Sequence, residues 1–136
     1  MSKQNVLFLC TGNSCRSQMG EALVNHFKGD GFVGYSAGTK PTGYVHPLAL
    51  EVLAEMGIDG AGLVSKSADS LKQITFHHTF TVCDNAATDC PVWLGEGTVT
   101  HIPFPDPADA TGTRAERLEQ FRAVRDAIQT QIVKRL

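Results

Sequence analysis

The spacing of apolar positions changes several times along this chain, and each change marks an element. Val6-Leu7-Phe8-Leu9 is an unbroken apolar run, too short for a helix, and reads as a strand buried on both faces. From Ser17 the spacing becomes helical: Met19, Ala22, Leu23, His26 and Phe27 share a face, and Gly29-Asp30-Gly31 ends the helix. Phe32 to Ala37 predicts a second strand, followed by a loop carrying Gly38, Pro41 and Gly43. Pro47 suits the first turn of a second helix, with Ala49, Val52, Leu53 and Met56 inward and Gly57 at its end. The Ser- and Gly-rich stretch from Ile58 to Gln73 has room for one short helix. His78 to Val82 and Thr98 to Ile102 predict a third and a fourth strand. Beyond Pro103, Pro105 and Pro107, Thr113-x-x-Glu116 forms a capping box. It opens a last helix with Leu118, Phe121, Val124, Ile128 and Ile132 inward.

Strands alternating with helices, without a repeat or linker, predict one α/β domain over residues 1–136. The expected architecture is a three-layer sandwich around a four-stranded, mainly parallel sheet. Such sheets bind ligands outside the carboxyl ends of their strands. Cys10 follows the first predicted strand, Cys83 the third, and Asp106 lies shortly after the fourth. Three segments distant in sequence are therefore expected at one edge.

Composition narrows the function classes. The 136 residues carry 12 Lys+Arg against 14 Asp+Glu, a net −2, so no basic surplus favours nucleic acid. The apolar run Val6 to Cys10 is too short to cross a bilayer, and the N-terminus lacks the pattern of a signal peptide, so a cytoplasmic location is expected. The 4 cysteines are too few for a secreted disulfide scaffold. In a reducing compartment they are catalytic, metal-binding or buried.

Cys10-Thr11-Gly12-Asn13-Ser14-Cys15-Arg16-Ser17 joins a buried strand to a helix. A loop so placed aims backbone N–H groups and the positive end of the helix dipole into one concavity. Gly12 is expected to supply a positive φ where the loop wraps. Arg16 offers a planar fork for two oxygens of a tetrahedral anion. A cysteine in that field favours the thiolate, and Ser17 could donate to it. Cys15 is expected to be buried filler. A zinc site fits poorly, because Arg16 is a bad neighbour for a cation and Cys83-x6-Cys90 is too widely spaced. Gly29-Asp-Gly-Phe-Val-Gly34 matches a dinucleotide fingerprint as a string, but it follows a helix and enters a strand, the reverse of the context required. The arginines at 114, 117, 122 and 125 are expected to form the solvated side of the last helix.

Cys10-Thr-Gly-Asn-Ser-Cys-Arg-Ser-Gln-Met, Tyr35-Ser-Ala-Gly and Asp106-Pro-Ala resemble arsenate reductases built on the low-molecular-weight tyrosine phosphatase fold. Cys83-x6-Cys90 and Phe121-Arg-Ala-Val-Arg-Asp resemble the thioredoxin-coupled branch. The resemblance implies that Cys10 attacks arsenate, that Asp106 protonates the departing hydroxyl, and that Cys83 then attacks Cys10 to expel arsenite. It implies a relay in which a Cys10–Cys83 disulfide passes to Cys83–Cys90. Regeneration falls to thioredoxin or another thiol reductant. The loop residues Thr11 to Ser17 would bind the oxyanion. No tightly bound cofactor is expected, although some members bind potassium, and Asn13, Glu21, Ser36 and Asp69 sit where its ligands would fall. The chain is expected to act as a monomer. Two rivals remain: a tyrosine phosphatase using Cys10, Arg16 and Asp106 alone, and a non-enzymatic oxyanion sensor. Ala108, where such phosphatases often carry an aromatic, argues against the first.

Overall fold

The computed structural model describes residues 3–83 and 97–136. Four strands, β1 (Gln4–Cys10), β2 (Phe32–Gly38), β3 (His78–Thr81) and β4 (Thr98–His101), form one sheet in the order β2-β1-β3-β4. Every pairing is parallel, as the alternation of strands and helices predicts. The ladders run one residue past β3 and β4: Val82 donates to the Leu9 carbonyl and Ile102 to that of Thr81, both at 3.0 Å.

β1 lies in the interior of the sheet, and Val6, Leu7, Phe8 and Leu9 are all 0% exposed. Successive side chains point to opposite faces, so complete burial of all four means both faces are covered. On one face, helix α1 (Arg16–Phe27) lies so close that a Cβ on Gly20 would fall 2.4 Å from the Phe8 ring. On the other, Tyr35 pairs in register with Leu7 and meets Phe76 edge to face. The sheet is thus the middle layer.

Helix α2 (Pro47–Ala54) is shorter than its apolar face suggests. Gly57, at φ +78°, closes it: its N–H donates to Ala54 and that of Ile58 to Leu53. This is the left-handed glycine termination expected of the sequence. Between Ile58 and Gln73 a 3-10 turn forms at Ala68–Leu71. Helix α3 (Arg114–Gln131) opens on the predicted capping box, with Thr113 and Glu116 exchanging both bonds, and buries Leu118, Phe121, Val124 and Ile128.

Arg114 stays largely exposed as expected, but three of the four α3 arginines also meet acidic partners. Arg122 grips Glu55 through Nε and Nη2, and Arg114 pairs with Glu51. Arg125 pairs with Glu55 and donates to the Val52 carbonyl at 2.8 Å. Opposite charges one helix away recruited them, so they join α2 to α3 instead of facing solvent alone.

Candidate active site

The chain leaves β1 toward β2 on one side and reaches β3 on the other. β1 and β3 therefore flank the crevice where strand order reverses, the usual ligand position in an open parallel sheet. Cys10 ends β1 and Cys83 follows β3 at this crevice. Among the described residues Cys10, Cys15 and Cys83 are buried free thiols.

The loop from Cys10 enters α1 without a side-chain cap, so the first amides of the helix stay available to a ligand. Gly12 does not carry the expected positive φ; Asn13 does, at φ +48°. The left-handed conformation is tolerable in asparagine, and here the side chain holds it. Asn13 Oδ1 accepts from Gln18 Nε2 at 2.9 Å and from the Lys66 N–H at 2.8 Å. Its Nδ2 donates to Ser17 Oγ at 2.8 Å. Ser17 Oγ lies 2.9 Å from Cys10 Sγ, which also accepts the Asn13 N–H at 3.2 Å. The loop's contour needs a glycine on the neighbouring strand: a Cβ on Gly38 would stand 2.6 Å from the Thr11 carbonyl oxygen.

Arg16 is held at both nitrogens of its fork. Nη1 donates to the Phe104 carbonyl at 3.1 Å, and Nη2 pairs with Asp106 Oδ2 at 3.4 Å. The other Asp106 oxygen accepts the Ala108 N–H at 3.0 Å, capping the 3-10 turn Pro107–Asp109. Cys83 Sγ accepts the Thr11 N–H at 3.1 Å and lies 3.2 Å from Thr11 Oγ1. A cavity of about 120 Å³ is lined by Cys10, Asn13, Arg16, Tyr44, His46 and Asp106, among others. A second, of about 560 Å³, contains Cys83 and shares Gly12, Arg16 and Asp106 with the first. The arrangement can hold a small tetrahedral anion over one sulfur, with a second sulfur bonded to the same loop.

Burial, and then the Asp106 carboxylate, push the Cys15 thiol up to about 12, outweighing the pull of Ser14 and Arg16. Cys15 is thus an inert wall. Cys90 lies outside the described residues.

The residues singled out for potassium divide. Ser36 donates to Glu21 Oε1 at 2.7 Å, and Lys66 Nζ faces the same oxygen at 3.5 Å. Asp69 sits in the 3-10 turn, and no hydrogen bond or ion pair joins its carboxylate to Asn13, Glu21 or Ser36. With Asn13 Oδ1 accepting two donors and an ammonium beside Glu21, this donor set suits Lys66 better than a free ion. No chemical step below passes through potassium.

Several site residues escape local sequence reasoning. Gln18, fully buried, ties the Asn13 carbonyl oxygen and side chain to Val64. Lys66, Thr42, Tyr44 and the Phe104 carbonyl arrive from distant loops, and no spacing announces them. His46 had a usable signal, a polar residue before a proline that opens a helix.

The low molecular weight phosphotyrosine protein phosphatase family matches residues 5–136. An arsenate reductase of Shouchella clausii is 41% identical over 136 residues, spanning 98% of this chain and 96% of the relative. One of Bacillus subtilis is 39% identical, spanning 94% and 91%. A solved structure described as an arsenate reductase in the phosphate binding state superposes with a TM-score of 0.82 at 26% identity, covering 97% of this chain and 95% of that one.

Proposed function

This chain belongs to the low molecular weight phosphotyrosine protein phosphatase family, and from that membership we propose that it reduces arsenate to arsenite through a thiol relay. The observation that carries the reading is the bond from Thr11 to Cys83 Sγ: a second sulfur is attached to the loop that cradles Cys10. Ester hydrolysis needs one sulfur, whereas a two-electron reduction needs two.

In the proposed sequence arsenate lies against the loop amides and Arg16. The Cys10 thiolate attacks arsenic, and a hydroxyl leaves as water with a proton from Asp106. Cys83, whose sulfur the Thr11 N–H already meets, then attacks Cys10 Sγ as a thiolate. A sulfur–sulfur bond forms, the sulfur–arsenic bond breaks, and its electron pair departs with arsenic as arsenite. Two thiols have then supplied two electrons. Cys90 would attack Cys83, release Cys10 and leave a Cys83–Cys90 disulfide for thioredoxin or another dithiol to reduce.

This chemistry belongs in a reducing cytoplasm and requires no tightly bound cofactor or second subunit. Among the described residues no helix is long and apolar enough to cross a membrane. The deciding assay is arsenite formation with thioredoxin, its reductase and NADPH, run beside aryl phosphate hydrolysis. Sustained arsenite formation supports the reductase. Hydrolysis without reduction would return the chain to the phosphatase reading, since Cys10, Arg16 and Asp106 suffice for that reaction.

A further inference from the structure

The relay leaves one wall of the oxyanion cavity without a part. His46 lines that cavity together with Cys10, Arg16 and Asp106. It stands at the N-cap of α2, where its Nδ1 accepts the Leu48 N–H at 3.1 Å. Its backbone N–H donates to the Ser14 carbonyl at 3.0 Å, and its ring packs on Phe121 with centroids 4.8 Å apart. The helix and a core side chain thus hold the ring, and the loop holds the backbone that carries it. An imidazole that is neutral and accepts at Nδ1 must carry its proton on Nε2. Burial and then Arg117 hold the ring neutral by lowering its pKa below the ordinary 6.5, against an opposing pull from Asp106. Among the described residues no acceptor bonds Nε2.

We propose that His46 is an oxyanion-binding residue: its Nε2–H donates to an oxygen of the tetrahedral anion held over Cys10, and the cap to Leu48 selects the tautomer able to donate. A neutral donor suits this place, because Arg16 already supplies the charge and a second cation would compete for Asp106. The ring also confines the anion from the side of α2, across a cavity small enough for one tetrahedral ion to meet both groups. The inference rests on reading the loop as an oxyanion cradle, and arsenate and inorganic phosphate share the chemistry it recognises.

Two substitutions separate anchoring the helix from binding the anion. Asparagine caps a helix as well as any residue but is too short to replace Nε2, whereas alanine does neither. Binding of inorganic phosphate by calorimetry is expected to weaken about tenfold or more in both His46→Asn and His46→Ala, the usual loss for a hydrogen bond to a charged group. Only His46→Ala is expected to lower the thermal midpoint. The KM for arsenate should rise in His46→Asn by more than kcat falls. Wild-type phosphate affinity in His46→Asn would make His46 a cap alone and overturn the inference. A wild-type chain that binds neither phosphate nor arsenate would overturn the cradle itself, and this inference with it.

Discussion

Ser17 Oγ stands 2.9 Å from Cys10 Sγ, and Asn13 Nδ2 holds that oxygen from its other side at 2.8 Å. A thiolate cannot donate, so once Cys10 is ionised the bond runs from hydroxyl to sulfur. Because Asn13 donates into the same oxygen, the two bonds polarise each other. Ser17→Ala removes a donor to a buried charge and leaves Asn13 Nδ2 without the oxygen that accepts from it. The rate of Cys10 alkylation at neutral pH is expected to fall roughly tenfold or more, with arsenite formation following it. An unchanged alkylation rate would make Ser17 a packing residue.

Arg16 spans two partners, the Phe104 carbonyl and the Asp106 carboxylate. On the proposed reading a bound oxyanion would compete with Asp106 for the guanidinium, so that seating the anion would release the carboxylate. Asp106→Asn is expected to lower kcat roughly 10²- to 10⁴-fold, the usual contribution of a positioned acid. Phosphate affinity should persist, because the change removes a negative competitor. Arg16→Lys should lose affinity, since an ammonium cannot reproduce the planar fork. Loss of affinity without loss of kcat in Asp106→Asn would make the aspartate an organiser of the loop.

The elements were legible because each carries its own local signal. Val6 to Leu9 is a run of strand length, Thr113 and Glu116 cap their helix reciprocally, and Gly57 ends another with a positive φ. The loop was legible because its residues are contiguous. What supports it was not. Asn13 is held by Lys66, 53 positions away, and Arg16 by a backbone carbonyl, 88 positions away, that has no side-chain signature. Giving the positive φ to Gly12 followed propensity, but Asn13 accepts it because three hydrogen bonds fix its amide group. The partners of Arg114, Arg122 and Arg125 are illegible for a related reason: helical spacing says which face a charge occupies, not that Glu51 and Glu55 wait across the groove.

Two groups set opposite pH limits on stability. The raised Cys15 value means that the folded chain keeps a proton the unfolded chain gives up above the ordinary 9.0. Its contribution is complete below that pH and is lost as pH climbs toward 12. The lowered His46 value acts in the other direction: the unfolded chain takes up a proton first, so stability present above 6.5 declines as pH falls through the folded value. Thermal midpoints across pH should show both flanks. Cys15→Ala should remove the alkaline one and His46→Asn the acidic one, and persistence of either flank in its variant would assign it to another group.

Cys15 provides an internal control for thiol chemistry. It lines the same cavity as Cys10, yet its burial and the nearby Asp106 keep it protonated at working pH. Alkylation of the folded chain at pH 8 is expected to spare it, as peptide mapping would show. Cys15→Ala should leave arsenite formation near the wild-type rate. A severe loss of turnover would mean that Cys15, rather than a sulfur on another loop, takes part in the redox steps.

The relay itself is where the reductase and phosphatase readings part. Cys10→Ser should abolish both arsenate reduction and ester hydrolysis, because a hydroxyl lacks the thiolate's nucleophilicity at neutral pH. Cys83→Ser should block the first arsenite, since nothing then attacks the Cys10 adduct, while hydrolysis of an aryl phosphate survives. With Cys90→Ser, Cys10 and Cys83 remain, so the chain should release one arsenite and stop with a Cys10–Cys83 disulfide. Thr11 ties the Cys83 sulfur to the loop that carries Cys10, as this expectation requires. Quenched single-turnover arsenite counting with peptide mapping of the disulfide makes the measurement. Full multiple turnover with thioredoxin in Cys90→Ser would remove the third thiol from the mechanism, and a first arsenite from Cys83→Ser would remove the second.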